Sequence, residues 1–182
     1  MELTATTPGA PEVIRKLSHS HPDLMIGGGT ILDHDTACRF LAAGAAFLTS
    51  PGLDLEIVEF AARENVLNIP GALTPSEIMA ANKAGADFIK LFPCAQVGGP
   101  GYVKAMRAPF PHISFIAAGG VQSQTAMDYI RAGAVALGVG GYLVPAEAIQ
   151  RRNAGWIHEL CGRFLGFVRE ARAIGPAHVQ TV

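Results

Sequence analysis

Gly85-Ala86-Asp87-Phe88-Ile89-Lys90-Leu91-Phe92-Pro93-Cys94 decides how the rest of the chain is read. Phe88, Ile89, Leu91 and Phe92 form a short apolar run, entered through glycine and alanine and ended by proline. That is the profile of a strand buried on both faces of a parallel sheet. Lys90 lies inside it. A charged amine is costly in such surroundings, and a buried lysine gives up its proton more readily than an exposed one. A neutral amine attacks carbonyl carbons. Two readings of Lys90 follow. It is an imine-forming lysine at the C-terminal end of a barrel strand, or its stem is buried and its head reaches water or a carboxylate.

Working outward, the same strand-then-helix unit recurs. Further strands are expected at 24–26, 45–48, 66–69, 113–117 and 135–137, with the tail of another at 2–7. Helices are expected from Pro11, over 34–43 with Asp33 as N-cap, over 53–64, from Thr74-Pro75-Ser76-Glu77, and over 102–107, 122–131, 145–150 and 154–173. Residues 174–182 read as a frayed tail. Ala43-Gly44-Ala45, Ala84-Gly85-Ala86 and Ala132-Gly133-Ala134 each end a helix and lead into a strand, which suits glycine in a left-handed helix cap. Alternating strands and helices with short loops give a parallel sheet with right-handed crossovers. Nothing in the composition marks a second domain, so the expectation is one α/β domain over 1–182.

Special residues follow their strands: Thr30, Thr49, Ser50, Pro70, Lys90, Pro93, Gly119-Gly120 and the run from Gly138 to Gly141. In a TIM (β/α)8 barrel that rim carries the active site, and phosphate binds at the loops after the last two strands. Here those loops hold the two late glycine clusters, whose bare N–H groups beside a helix N-terminus suit an anion. A doubly wound sheet would place a glycine-rich fingerprint after its first strand, with an acidic residue about 20 positions on. Gly27-Gly28-Gly29 does not spell it.

Composition bounds the function. The 182 residues are 49% hydrophobic and 16% charged with net charge −1, which excludes disorder and gives no electrostatic footprint for nucleic acid or an anionic membrane. No apolar run has the length of a membrane span. Cys38, Cys94 and Cys161 are odd in number and far apart, as free thiols in a reducing cytoplasm would be. His19 and His21 read as solvated surface, and no histidine spacing suggests a metal.

The segments Glu2-Leu3-Thr4, Thr6-Thr7-Pro8, Ile26 to Thr30, Thr49 to Gly52, Ile69-Pro70-Gly71, Ile89 to Pro93, Ala118 to Val121 and Gly140 to Pro145 resemble, in order and spacing, the 2-keto-3-deoxy-6-phosphogluconate aldolases. The wider family includes 4-hydroxy-2-oxoglutarate aldolase. The resemblance implies a class I aldolase on a TIM barrel, a homotrimer, with neither metal nor cofactor, acting on a small phosphorylated keto acid. It places Lys90 on the Schiff-base lysine and Glu2 on the proton-transferring glutamate. Thr30 falls beside the pyruvyl carboxylate, and Pro93 at the pocket wall. Gly119, Gly120, Gly140 and Gly141 fall on the phosphate loops. Thr6 stands where some members carry an arginine that holds the substrate carboxylate, and Gly141 where some carry a phosphate-binding serine. After the lysine motif the family often has Ala-Glu where this chain has Cys94-Ala95-Gln96, and of two readings of Cys94, a reactive thiol or a small packing residue, the second is the expectation. The galactonate epimer, 4-hydroxy-2-oxoglutarate and a non-catalytic phosphosugar-binding barrel or inactive fragment remain as alternatives. Seven strands, with a stub at Glu2, imply a barrel lacking its front and a polypeptide weakly stable and poorly active by itself.

Overall fold

Three of the four helices of the first half start on a side chain that the sequence supplies for the purpose. The computed structural model describes residues 1–174. Asp33 accepts the Thr36 N–H at 2.7 Å and opens α2 (His34–Ala42). Asp54 accepts the N–H groups of Glu56 and Ile57 and opens α3 (Leu55–Arg63). Thr74 and Glu77 close a reciprocal capping box that opens α4 (Pro75–Lys83). Ahead of these, α1 (Ala10–Ser20) carries proline in its first turn.

Helix ends are equally explicit. Gly44, Gly85 and Gly133 all have positive φ, as the three Ala-Gly-Ala triplets predict. After Gly44 the Ala45 N–H reaches back to Phe40 O at 3.1 Å, and the Gly44 N–H reaches Leu41 O at 2.9 Å, which is the Schellman pattern. Asn65 (φ 55) and Arg152 (φ 49) do the same work after α3 and after α7 (Ala146–Gln150), with Val66 N–H on Ala61 O and Asn153 N–H on Ala148 O. The reading for glycine missed these two because the residue type differs while the backbone does not.

The chain separates into two compact units, Met1–Lys90 and the residues from Leu91 onward. In the first, β1 (Glu2–Thr4), β2 (Gly27–Gly29), β3 (Phe47–Thr49) and β4 (Leu67–Ile69) form a parallel sheet in that order. Pro70 interrupts the last strand before β5 (Gly71–Ala72), and β6 (Ile89–Leu91) carries the division between the units. In the second unit, β7 (Phe115–Ala118) pairs in parallel with β8 (Ala136–Gly138), accompanied by α5 (Pro100–Arg107), α6 (Ala126–Arg131), α7 and α8 (Ala154–Ile174). Counting β4 and β5 as one interrupted strand leaves seven strand positions. β2, β3, β4, β7 and β8 start one to three residues further along than their apolar runs suggest, while β1 and β6 lie within the expected segments. From residue 175 on, the expected tail lies outside the described residues.

The displacement is largest at β2. Leu24 and Met25, expected to lead the strand, are 43% and 58% exposed, and the strand is the glycine triplet itself. The cause is crowding. A Cβ on Gly28 would overlap the Phe40 ring of α2, and one on Gly29 would overlap the Glu2 carboxylate. Intrinsic preference reads three glycines as a loop, and tertiary contact overrides it.

Register fixes the two faces of this sheet. Leu3, Gly28, Leu48 and Asn68 lie in one lateral row. Leu48 and Leu3 pack with Ile14, Ala37, Phe40, Ile57 and Ala61, so this row faces the helices. Side chains alternate along a strand, so Glu2, Thr4, Thr49 and Ile69 occupy the other face.

The caps yield a paired prediction. A Cβ on Gly85 would meet only the Ala62 methyl at an ordinary 3.5 Å, so Gly85→Ala carries backbone strain alone. It should lower stability by about 1 kcal/mol, and Asn65→Gly should raise it by a few tenths. Urea unfolding of both variants measures this; equal effects would separate the two caps from their common backbone role.

Candidate active site

Lys90 sits between Ile89 and Leu91, which are 1% and 0% exposed, and is itself half-buried. The expected burial on both faces therefore fails: the segment alternates, with Phe88, Lys90 and Phe92 half-buried on one side and Ile89 and Leu91 enclosed on the other. Its backbone N–H donates to Pro70 O at 2.9 Å. That bond sets Lys90 beside Gly71, two residues on from Ile69, and so on the face that carries Glu2, Thr4 and Thr49. The first unit thus brings the candidate nucleophile and the candidate proton carrier to one side of its strands.

Glu2 is exposed, with its carboxylate against the Cα of Gly29. Glycine there leaves room for the acid. The next residue, Thr30, has φ 56, in a region that β-branched residues rarely enter. Strain of this kind costs about 1–3 kcal/mol and collects at functional positions. Nothing in the sequence pattern announces it. The Thr49 hydroxyl donates to Ile69 O at 2.8 Å. Thr6 is exposed, and its hydroxyl lies 2.9 Å from that of Thr4, which also meets Thr7 at 3.1 Å.

In the second unit the loop after β6 passes through a cis Phe92–Pro93 bond. The Cys94 N–H then donates to Ala118 O at 2.8 Å, and the Ala95 N–H to Gly119 O at 3.0 Å. Across a trans peptide plane C=O and N–H point in opposite directions. Holding these two carbonyls therefore turns the N–H groups of Gly119 and Gly120 away from the Cys94–Ala95 backbone. Both glycines have positive φ, 82 and 81. A Cβ on Gly119 would stand 2.8 Å from the Pro93 Cα, and one on Gly120 would overlap Ala95. Two adjacent outward N–H groups form a concavity suited to an anion.

Gly140 and Gly141 differ. Neither has positive φ, and a Cβ on either would meet nothing within 4 Å. These glycines mark open space. The Gln122 amide donates to the Tyr142 hydroxyl at 2.8 Å, which ties the two glycine clusters together. Of the two helices expected after these clusters, the one from Pro145 starts within one residue of its expected place and the one from Gln122 starts late. α6 begins only at Ala126, because Gln122 and Thr125 first close a turn through the Gln122 N–H and Thr125 hydroxyl at 3.2 Å. α7 begins at Ala146. An anion here depends on loop backbone, without a helix end.

Cys94 is enclosed. Burial pushes its thiol up to about 11, only partly offset by the hydrogen bond it accepts from Tyr129. Burial, with Cys94 beside it, pushes the Tyr129 hydroxyl up to about 12. At neutral pH both are protonated, so Cys94 is a bonded packing residue with no thiolate to offer. Among the described residues no group of three or more His, Cys, Asp or Glu side chains could hold a metal ion. No helix among them is long and apolar enough to cross a membrane.

Known proteins resemble this chain in sequence and in fold. A family model described as "Aldolase: KDPG and KHG aldolase" matches residues 1–160. The 2-dehydro-3-deoxy-phosphogluconate aldolase of Pseudomonas aeruginosa is 36% identical over 160 residues, which cover 88% of this chain and 73% of the relative. The KHG/KDPG aldolase of Escherichia coli is 32% identical over 150 residues, 82% of this chain and 70% of the relative. Among solved structures, a native KDPGal structure superposes with a TM-score of 0.85 at 28% identity, covering 94% of this chain and 82% of its own. The KDPG aldolase of Legionella pneumophila, with pyruvate captured as a covalent carbinolamine, does so with a TM-score of 0.83 at 34% identity, covering 88% and 78%. Their fold class is the TIM barrel, and by sequence and structure together this chain belongs to the KDPG and KHG aldolase family of lyases.

Proposed function

We propose that this chain is a class I aldolase that cleaves 2-keto-3-deoxy-6-phosphogluconate to pyruvate and glyceraldehyde 3-phosphate. The observation that carries the reading is Lys90, the half-exposed residue between two enclosed ones, on the strand face that also holds Glu2. The Lys90 amine adds to the C2 ketone, and loss of water from that adduct gives a protonated imine. The imine draws electrons from the C3–C4 bond as it breaks, leaving an enamine on the pyruvyl carbons. Glu2, through a water, accepts the C4 hydroxyl proton and returns a proton to C3. Thr30 binds the pyruvyl carboxylate, and Thr6, on the segment after β1, helps to hold it. Pro93 forms part of the pocket wall. The N–H groups at Gly119 and Gly120, with Gly140 and Gly141, take the phosphate and fix the pose at the far end. The captured pyruvate in the Legionella relative supports the covalent step.

A second substrate, 4-hydroxy-2-oxoglutarate, is favoured by one observation. The segments 119–122 and 138–144 contain no lysine or arginine, so the anion end is held by neutral donors. The enzyme proposed is a homotrimer of the cytoplasm that needs no cofactor; light scattering on the purified chain reads the assembly directly.

Pyruvate with borohydride should fix one adduct on the Lys90 peptide, and Lys90→Arg should abolish it. Label on Lys83 or Lys104 with Lys90 untouched would refute the assignment, and phosphosugar binding without any adduct would favour a binding protein. Thr30→Gly should raise stability by about 1 kcal/mol through release of backbone strain while raising KM for pyruvate-forming substrates. A stability gain with unchanged kinetics would remove Thr30 from the substrate site. Gly141→Ser fits the open space without strain and adds a hydroxyl, so KM for the phosphorylated substrate should fall about threefold to tenfold, read in steady-state kinetics.

A further inference from the structure

The loop that follows Lys90 is held from below by a relay of two side chains that the aldolase chemistry does not use. The Tyr129 hydroxyl on α6 donates to the Cys94 sulfur, and the Cys94 thiol donates to Gly99 O at 3.7 Å. The Gly99 N–H returns to Cys94 O at 3.0 Å, so thiol and carbonyl of Cys94 grip the same residue from both sides. Gly99 has φ 59, and a Cβ on it would stand 3.3 Å from the Tyr129 oxygen, so glycine there also admits the hydroxyl. Gly99 is in turn the N-cap of α5, and its carbonyl accepts from Tyr102 and Val103. Cys94 is 0% exposed and Tyr129 1%. No water reaches either group to replace a lost partner.

The same Cys94 donates its backbone N–H to Ala118 O, and its neighbour Ala95 donates to Gly119 O. Those two bonds orient the peptide planes whose N–H groups face outward at Gly119 and Gly120. We infer that Cys94 and Tyr129 are positioning residues for the anion end of the site: the hydroxyl–thiol–carbonyl relay fixes Cys94, and Cys94, with Ala95 directly after it, fixes the direction of the Gly119 and Gly120 N–H groups. The relay acts on the phosphate-binding backbone and leaves the amine of Lys90 to its own strand. In its phosphate arm this rests on the function proposed above.

The experiment uses the full chain and three variants, Cys94→Ala, Cys94→Ser and Tyr129→Phe. Each is checked by thermal melting and read in two ways. Inorganic phosphate affinity is measured by calorimetry, and the rate of pyruvate trapping at Lys90 by borohydride and mass spectrometry. Cys94→Ala and Tyr129→Phe should weaken phosphate binding about tenfold while trapping pyruvate at the wild-type rate. Cys94→Ser, which keeps a donor and an acceptor at the same place, should bind phosphate within about twofold of wild type. Unchanged phosphate affinity in both the alanine and phenylalanine variants overturns the inference. So does a loss shared equally by phosphate binding and pyruvate trapping, which would reveal a general structural defect. Failure of the wild-type chain to trap pyruvate sinks the aldolase reading alone, because the phosphate comparison among the variants still decides the role of the relay.

Discussion

A parallel sheet obliges the chain to turn back after every helix, and at five of the described helix ends the turn is made by a single residue with positive φ. Gly44, Asn65, Gly85, Gly133 and Arg152 all occupy it. Behind each, two N–H groups close onto the last turn of the helix, so its free carbonyls are satisfied just as the chain leaves for the next strand or helix. The Gly85 cap leads directly into Lys90. Its conformation fixes the phase in which β6 enters the sheet, and one residue of slippage would exchange Lys90 with a buried neighbour. The placement of the candidate nucleophile is thus set at the end of the preceding helix.

Much of this was legible in the chain because the signals were local. Asp33 three residues before Thr36, and Thr74 three before Glu77, specify helix starts with no help from the rest of the molecule. The Ala-Gly-Ala triplets specify three helix ends. What escaped was decided by distant residues. The strand character of Gly27-Gly28-Gly29 depends on the Phe40 ring and the Glu2 carboxylate filling the space that side chains would take. The positive φ of Thr30 has no local signature at all, since threonine is among the residues least suited to it.

The candidate site divides in the same way. Lys90 was identifiable as a cation in an apolar strand, and its half-exposure follows from strand alternation, a pattern the apolar run concealed. The glycine pair at 119–120 was visible, but the direction of its N–H groups was not, because that direction is set by hydrogen bonds from Cys94 and Ala95, more than 20 residues earlier. Likewise Cys94 could be read alone as reactive or as filler. Its partner Tyr129 lies on a distant helix, and only the folded chain shows the burial that keeps the thiol protonated through the physiological range.

The glycine strand β2 has a mechanical consequence. A strand without side chains contributes almost no apolar surface to the core, so its cohesion comes from ladder bonds to β1 and β3 and from the rings that lie on it. Detaching α2 would remove the Phe40 ring and leave β2 covered by little except water-accessible backbone. Helix and strand should therefore open as one cooperative segment, and amide protons on both should exchange with a shared free energy below that of global unfolding. Glu2, whose carboxylate is seated on Gly29, would lose its seat in the same event, so the excursion that loosens this corner of the sheet also displaces the candidate proton carrier.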